Sequence, residues 1–366
     1  MIIGGILVLL SRKVIFSQKS FSYERCSIQE FDKPWIATLF MSIGLSFSNI
    51  IYKLMLVFDA KNYRLFTKIE FRLYLQGLTI AILDIIYSTL YSIAIVLIKE
   101  QYATLFRFVI ILFTACLRRV WLKEKLLAYS YTALVIVTIG VVLSSISVIY
   151  DQLKVDTIKY NATFFIALTL QILAQLALSI KTILEEQILH QNDVHPTWFC
   201  GVIGIYETVI ILFMVYPIVN FIPGKTGAGL SENFCDAIKM IGHSKVLIIE
   251  FVLFPLIELF YNVGILGVIF STSGIHKIVF EMVYTSFAWF IELFIYYAMK
   301  GNVFGLAKDM GAKWDKYSPM RLVGIVLIFI GSLLYSKTIK CKCYEYEQAD
   351  TQVFRLSEVC SIDHEV

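Results

Sequence analysis

The sequence predicts an all-α, polytopic membrane protein with ten transmembrane helices in two inverted five-helix repeats, the first helix short or clipped. Three observations carry that expectation. Hydrophobic residues make up 58% of the 366 residues and charged residues only 16%, where a water-covered surface needs roughly a quarter. The apolar residues gather in runs of about bilayer-crossing length, not in the alternating segments of a membrane barrel. Two segments of the first half also echo two of the second. In lipid each crossing segment must satisfy its own backbone, so the runs are helices.

Taken in order, Met1 to Leu10 amounts to about 15 Å of helix, too short to span and without the basic start of a signal peptide. Ser11 to Lys33 reads as a stretch outside the membrane. Full spans follow at Pro34 to Phe58 and Leu73 to Ile98. Tyr102 to Leu122 is shorter, interrupted by Arg107, Arg118 and Arg119. Further spans are Leu126 to Ile149, Phe164 to Leu184, Trp198 to Ile222, Val246 to Phe270 and Ile275 to Met299, with a short last one at Met320 to Ser336. The remaining stretches, Phe221 to Lys245, Gly301 to Pro319 and the tail, leave no room for a soluble catalytic domain, so no enzyme is expected.

The repeat rests on two matches. Ala103-Thr-Leu-Phe-Arg107 and Ser273-Gly-Ile-His-Lys277 each place a cation four residues after a small residue. Ala133 to Gly140 and Gly324 to Gly331 each set small residues seven apart on a β-branched helix, which suits close helix contact. Residues 1–150 and 151–336 then form the two repeats, with a polar tail at 337–366. Because five is odd, the second copy is inverted, a transporter signature that puts the solute site near the midplane. Basic residues sit in loops on both sides, Arg12 and Lys13 among them, so the positive-inside rule is indecisive. Both termini are expected to be cytosolic.

Ionisable groups inside spans cost several kcal/mol unless paired or hydrated, which makes each a candidate for function. Asp84 shares a face with Tyr87, Ser88 and Tyr91. Arg107 can grip a planar anion with two bonds, whereas Lys277 is a flexible point charge. Lys277, Glu281 and Tyr284 follow one another on one helical face, where Lys277 and Glu281 could also neutralise each other. Gln171, Gln175 and Ser179 line up on another helix, while Lys181, Glu185 and Glu186 read as its solvated end. Glu258 and Asn262 share a stripe with Glu250. The expected solute-binding set is Asp84, Tyr87, Arg107, Gln175, Asn262, Lys277, Glu281 and Tyr284, against the blander reading of a bundle held by buried pairs.

Other chemistry is not indicated. The seven cysteines lack a CxxC, and phosphate loops, nucleophile elbows and HExxH are missing, so no metal or cofactor is expected. Net charge is only +4, without the long basic block that nucleic acid attracts. Cys341 and Cys343, just past the last span, are candidate lipidation sites. Cys26 and Cys235 fall on one side and are expected to stay unpaired. Asn161-Ala-Thr163 is a glycosylation sequon beside a helix start.

Gln175 with Ile183-Leu-Glu-Glu186, Val194-His-Pro196, then Lys277, Glu281, Thr285 and Trp289 and the helix from Gly324 to Ser336 form a pattern that resembles the nucleotide-sugar-transporter-like solute carriers of family 35, within the drug/metabolite transporter superfamily. The likeness runs from about Phe31 to Ser336 and implies ten helices in two inverted halves and an endomembrane address such as Golgi, lysosome or vacuole. This chain departs from the family at Thr104, where relatives carry Gln. It has Lys277, Glu281 and Tyr284 in place of Arg, Asp and Arg, and Ile203 in place of a Glu, with Glu207 a turn later. Chloroquine-resistance-type vacuolar transporters of amino acids, peptides and drugs are a weaker match, because their cysteine set is missing. The expected function is secondary transport of a small polar or anionic metabolite by alternating access, with membrane lipids as neighbours, a homodimer allowed and no nucleic acid. The competing class is a non-transporting membrane scaffold.

Overall fold

The computed structural model describes residues 1–24, 26–58, 71–98, 107–121, 127–154, 162–192, 194–221, 231–300 and 311–339. The chain begins with α1, Ile2–Ser17, and a hairpin of β1, Lys19–Ser22, and β2, Ser27–Glu30. Helices α2, Pro34–Ser46, and α3, Ser48–Phe58, follow, then α4, Phe71–Ile98. A 3₁₀ turn, Arg107–Val109, leads into α5, Ile110–Trp121. Next come α6, Ala128–Lys154, α7, Ala162–Asn192, and α8, Pro196–Ile210, with a π turn, Ile211–Val215, before α9, Tyr216–Phe221. The last four are α10, Phe234–His243, α11, Lys245–Ser271, α12, Gly274–Ala298, and α13, Ser318–Tyr335. Among the described residues, seven helical segments are long and apolar enough to cross a membrane, and the chain is a helical integral membrane protein.

Three expectations need correction. Arg12 and Lys13 do not lie in a loop, because α1 continues to Ser17. Their charges are met inside the protein, by Glu258 and Glu292 at 2.8 and 2.9 Å, so the helix need not stop at them. The stretch to Lys33 is no plain loop either. It holds a hairpin with Ser20 and Ser22 turned inward. The third concerns α7, which passes Leu184 and runs on to Asn192, because Glu185 and Glu186 are buried and not solvated.

Local chemistry explains the breaks. The span from Pro34 bends at Phe47, whose N–H is shared between the carbonyls of Ile43 and Gly44, while Ser46 bonds back to the Ser42 carbonyl at 3.0 Å, a habit that bends helices. The π turn precedes Pro217, which has no N–H to give. Helices α6 and α13 pack closely through the paired small residues. A Cβ on Gly140 would come within 2.7 Å of the Gly324 carbonyl oxygen, so neither position has room for a side chain.

Among the described residues the apolar interior has a small cluster around Val14 and Ile295 and two large cores. One joins α1, α2, α8, α10 and α11 with parts of α4, α7 and α12. The other joins α5, α6 and α13 with parts of α7 and α12. Each core draws on both halves of the sequence.

A polar clasp closes one end of the first core. Asn233 caps α10 by accepting from the N–H groups of Cys235 and Asp236. Asp236 accepts from Ser22 and from the Tyr23 and Glu24 N–H groups, with Lys33 at 3.2 Å. Burial opposes its charge, but these partners hold its pKa below the usual carboxylate value. Glu232 accepts from the Trp35 and Ile36 N–H groups at 2.9 and 3.0 Å and from the Tyr216 hydroxyl at 2.9 Å. It thereby caps α2 from outside. Burial nevertheless raises the Glu232 pKa to about 7.

Candidate functional site

A cavity lies where the two cores meet. Val8, Met41, Tyr261, Ile265 and Tyr284 reach it from the first core, and Ile110, Leu178 and Met282 from the second. Its volume is about 70 Å³, and it is open on one side. All of Asp84, Tyr87, Arg107, Gln175, Asn262, Lys277, Glu281 and Tyr284 line it. Their helical spacing explains this, since residues three and four apart on α4, α7, α11 and α12 share a face.

Most of the charges are paired. Arg12 donates to Glu258 at 2.8 Å, and Asn262 donates to the second Glu258 oxygen at 3.0 Å. Lys181 lies 2.7 Å from Asp84 and 3.6 Å from Glu185. Lys277 donates to Thr182 at 2.8 Å and sits 3.3 Å from Glu281. These pairs join α1 to α11, α4 to α7, and α7 to α12.

Arg107 is different. Among the described residues no carboxylate lies within ion-pair distance of it. Its guanidinium donates to the Tyr91 hydroxyl at 2.7 Å and the Tyr284 hydroxyl at 3.5 Å, and stands 4.6 Å over the Tyr91 ring, which Tyr87 stacks against. Tyr284 shares a 2.7 Å hydrogen bond with Tyr261, and Gly5 makes room for the Tyr284 ring. The Arg107 Nε is buried without an acceptor among the described residues. Gln175 also faces the cavity, with both amide atoms unpartnered among the described residues. A cation in a phenol cage and an idle amide can together hold a planar oxyanion.

Sequence reasoning missed Arg12, Lys181 and Tyr261 as lining or supporting groups, and it left Tyr91, which it placed on the Asp84 face, out of the binding set. Lys181 follows the cavity-lining Leu178 by three residues and precedes Glu185 by four, a spacing that could have been a signal. Arg12 follows Val8 at four-residue spacing and precedes more apolar residues, which marks a helix continuing through the charge. At the far end Arg118 pairs with Glu186 at 2.6 Å, and His276 contacts Ser273. His195 caps α8 through Nδ1, accepting from Thr197 N–H, and burial lowers its pKa. Cys26, Cys116, Cys200 and Cys235 are free thiols. Cys341, Cys343, Thr104 and Asn161 lie outside the described residues.

No protein-family model matches the chain. Curated relatives do. Solute carrier family 35 member F6 of Rattus norvegicus is 20% identical over 260 residues, 70% of this chain and 64% of the relative. The Homo sapiens protein of that name is 20% identical over 70% of this chain and 65% of its own length. The chain thus spans about two thirds, and slightly less, of the length of the relatives it matches. The likeness to solute carrier family 35 read from the motifs holds at about 20% identity. A solved structure titled only as the crystal structure of a protein superposes with TM-score 0.53 at 10% identity, covering 92% of this chain and 95% of the other, a likeness of fold.

Proposed function

We propose that this chain is a secondary transporter, ten helices in two inverted five-helix repeats, that carries a small polar or anionic metabolite through the central cavity by alternating access. Arg107 carries the reading. Burying a guanidinium without a counter-ion costs several kcal/mol, and a solute carboxylate or phosphate would supply the missing charge. Gln175 and Asn262 would orient the solute's polar groups, and Tyr87 and Tyr284 would bracket it. Asp84, Lys277 and Glu281 would set the local potential, since each is already engaged. The family likeness supports transport, and an endomembrane address is proposed on the same ground.

The groups left unpartnered favour transport over a scaffold, in which the charges would close on one another. The test is uptake by liposomes holding the purified full chain, with nucleotide sugars, amino acids and dipeptides as probes. Saturable uptake of at least one anionic probe is expected, abolished by Lys277→Met in protein that still folds. Silence across all three classes from intact protein would reject the reading, and normal transport by Lys277→Met would remove that residue from the site.

A further inference from the structure

Behind Asp84, on the side away from the cavity, lies a second carboxylate that the solute site leaves unused. Glu207 comes from α8, which packs against α4, and is 1% exposed. Its side chain is within hydrogen-bonding range of the Asp84 carboxyl, and neither of its oxygens has a donor among the described residues. Asp84 already has Lys181 at 2.7 Å. Two carboxylates in contact inside a protein cannot both be ionised, because neither can then donate and the two charges repel. A hydrogen bond between them requires a proton.

We propose that Asp84 and Glu207 form a proton-binding site one layer behind the cavity, and that the proton is the ion coupled to the solute. The coupling half rests on the transport reading; the site does not. The surroundings suit a titrating pair. Lys181 and Glu185 face it from α7, Lys277 from α12, Tyr87 from α4 and Cys200 from α8 itself. Helix α2 has no ionisable side chain, and α3 offers only an exposed Lys53 and a Tyr52 set against His195. On α11, Glu258 is engaged by Arg12. Asp84 lines the cavity, so a proton enters from cavity water through Asp84 and leaves by the same carboxyl.

Lys181 links this site to the solute. With one proton the pair carries a single negative charge, and Lys181 is divided between Asp84 and Glu185. Losing the proton adds a second negative charge beside Asp84 and draws the ammonium from Glu185, one of whose oxygens is already unpartnered. The potential felt by a bound anion then changes by one charge.

Infrared spectroscopy of the full chain in lipid vesicles tests the site without any solute. Beyond the contribution of Glu232, which cancels in a difference spectrum, wild-type protein should show the C=O band of a protonated carboxyl that shifts in D₂O, and Glu207→Gln and Asp84→Asn should each remove or shift it. A wild-type spectrum without that band overturns the proposal, as does the same band unchanged in folded Glu207→Gln. For each nucleotide sugar, amino acid or dipeptide that moves, an inward proton gradient should raise wild-type accumulation, by up to about tenfold per pH unit for one proton per solute. Glu207→Gln should abolish that response, and a wild type indifferent to the gradient overturns coupling. A silent panel with the band present rejects the transport reading while the proton site stands.

Discussion

The central cavity and the clasp at one end of the bundle both bury charge, but they finish differently. In the clasp all four carboxylate oxygens of Glu232 and Asp236 have donors, namely backbone N–H groups, Tyr216 and Ser22, with Lys33 as an ion-pair neighbour. In the cavity, Arg107 Nε, both ends of the Gln175 amide and one Glu185 oxygen have no partner among the described residues, and neither have the two oxygens of Glu207 behind it. Buried polar groups in a static structure are nearly always satisfied, so leftover capacity separates a place that awaits a ligand from a place that holds the fold together. Burial alone does not make that distinction, since both regions contain buried charged side chains.

The strongest way to break this comparison is to unpair a charge inside the cavity. Arg12→Met should strand Glu258 and destabilise the protein by about 3–5 kcal/mol, with Arg12→Met combined with Glu258→Gln recovering much of the loss. Unfolding in detergent measures it, and an additive double variant would mean that the pair is not acting as a pair. A pH effect in the clasp comes next. Glu232 titrates near pH 7 when folded and at the ordinary carboxylate value, about 4.3, when unfolded. Across that window the folded state binds more protons, so stability is greatest below the unfolded value and falls as pH rises through the folded one, by about 4 kcal/mol in all. Thermal unfolding at several pH values should show this slope, flattened in Glu232→Gln. A slope of the same size in the variant would assign it elsewhere.

Gln175→Leu sharpens the contrast with the smallest change in stability. Replacing an unpartnered buried amide with an apolar side chain of similar volume should leave stability within about 1 kcal/mol or raise it. Solute affinity should fall about tenfold, the worth of one buried hydrogen bond, read as half-saturation of uptake with the same nucleotide sugar, amino acid and dipeptide probes. A loss of stability with unchanged uptake would move Gln175 from the binding side of the comparison to the structural side.

Much of the site was legible because helical spacing is a local property. Asp84 and Tyr87, or Lys277, Glu281 and Tyr284, share a face wherever their helix ends up. The same logic failed for Lys181, Glu185 and Glu186, where a cluster of charges looks the same in sequence whether water or another helix receives it. It failed for Glu207 too, a lone acid on an apolar helix whose meaning depends on facing Asp84. The hairpin was missed because its short strands, Lys19–Ser22 and Ser27–Glu30, are ordered by packing on α10 more than by any apolar alternation of their own.

Hydropathy sums along a segment, so the sequence alone determined which stretches are apolar and long enough to cross a bilayer and, for Asp84, Lys277 and Glu258, that a charge would be carried inside. Partnership was decided only by the tertiary structure. Arg12 meets Glu258 across 246 positions of sequence, Asp84 meets Lys181 from another helix, and Arg107 is left to tyrosines. Which helix faces which is settled by packing of whole surfaces, and a buried charge takes its role from the group placed opposite it, a relation that no local spacing contains.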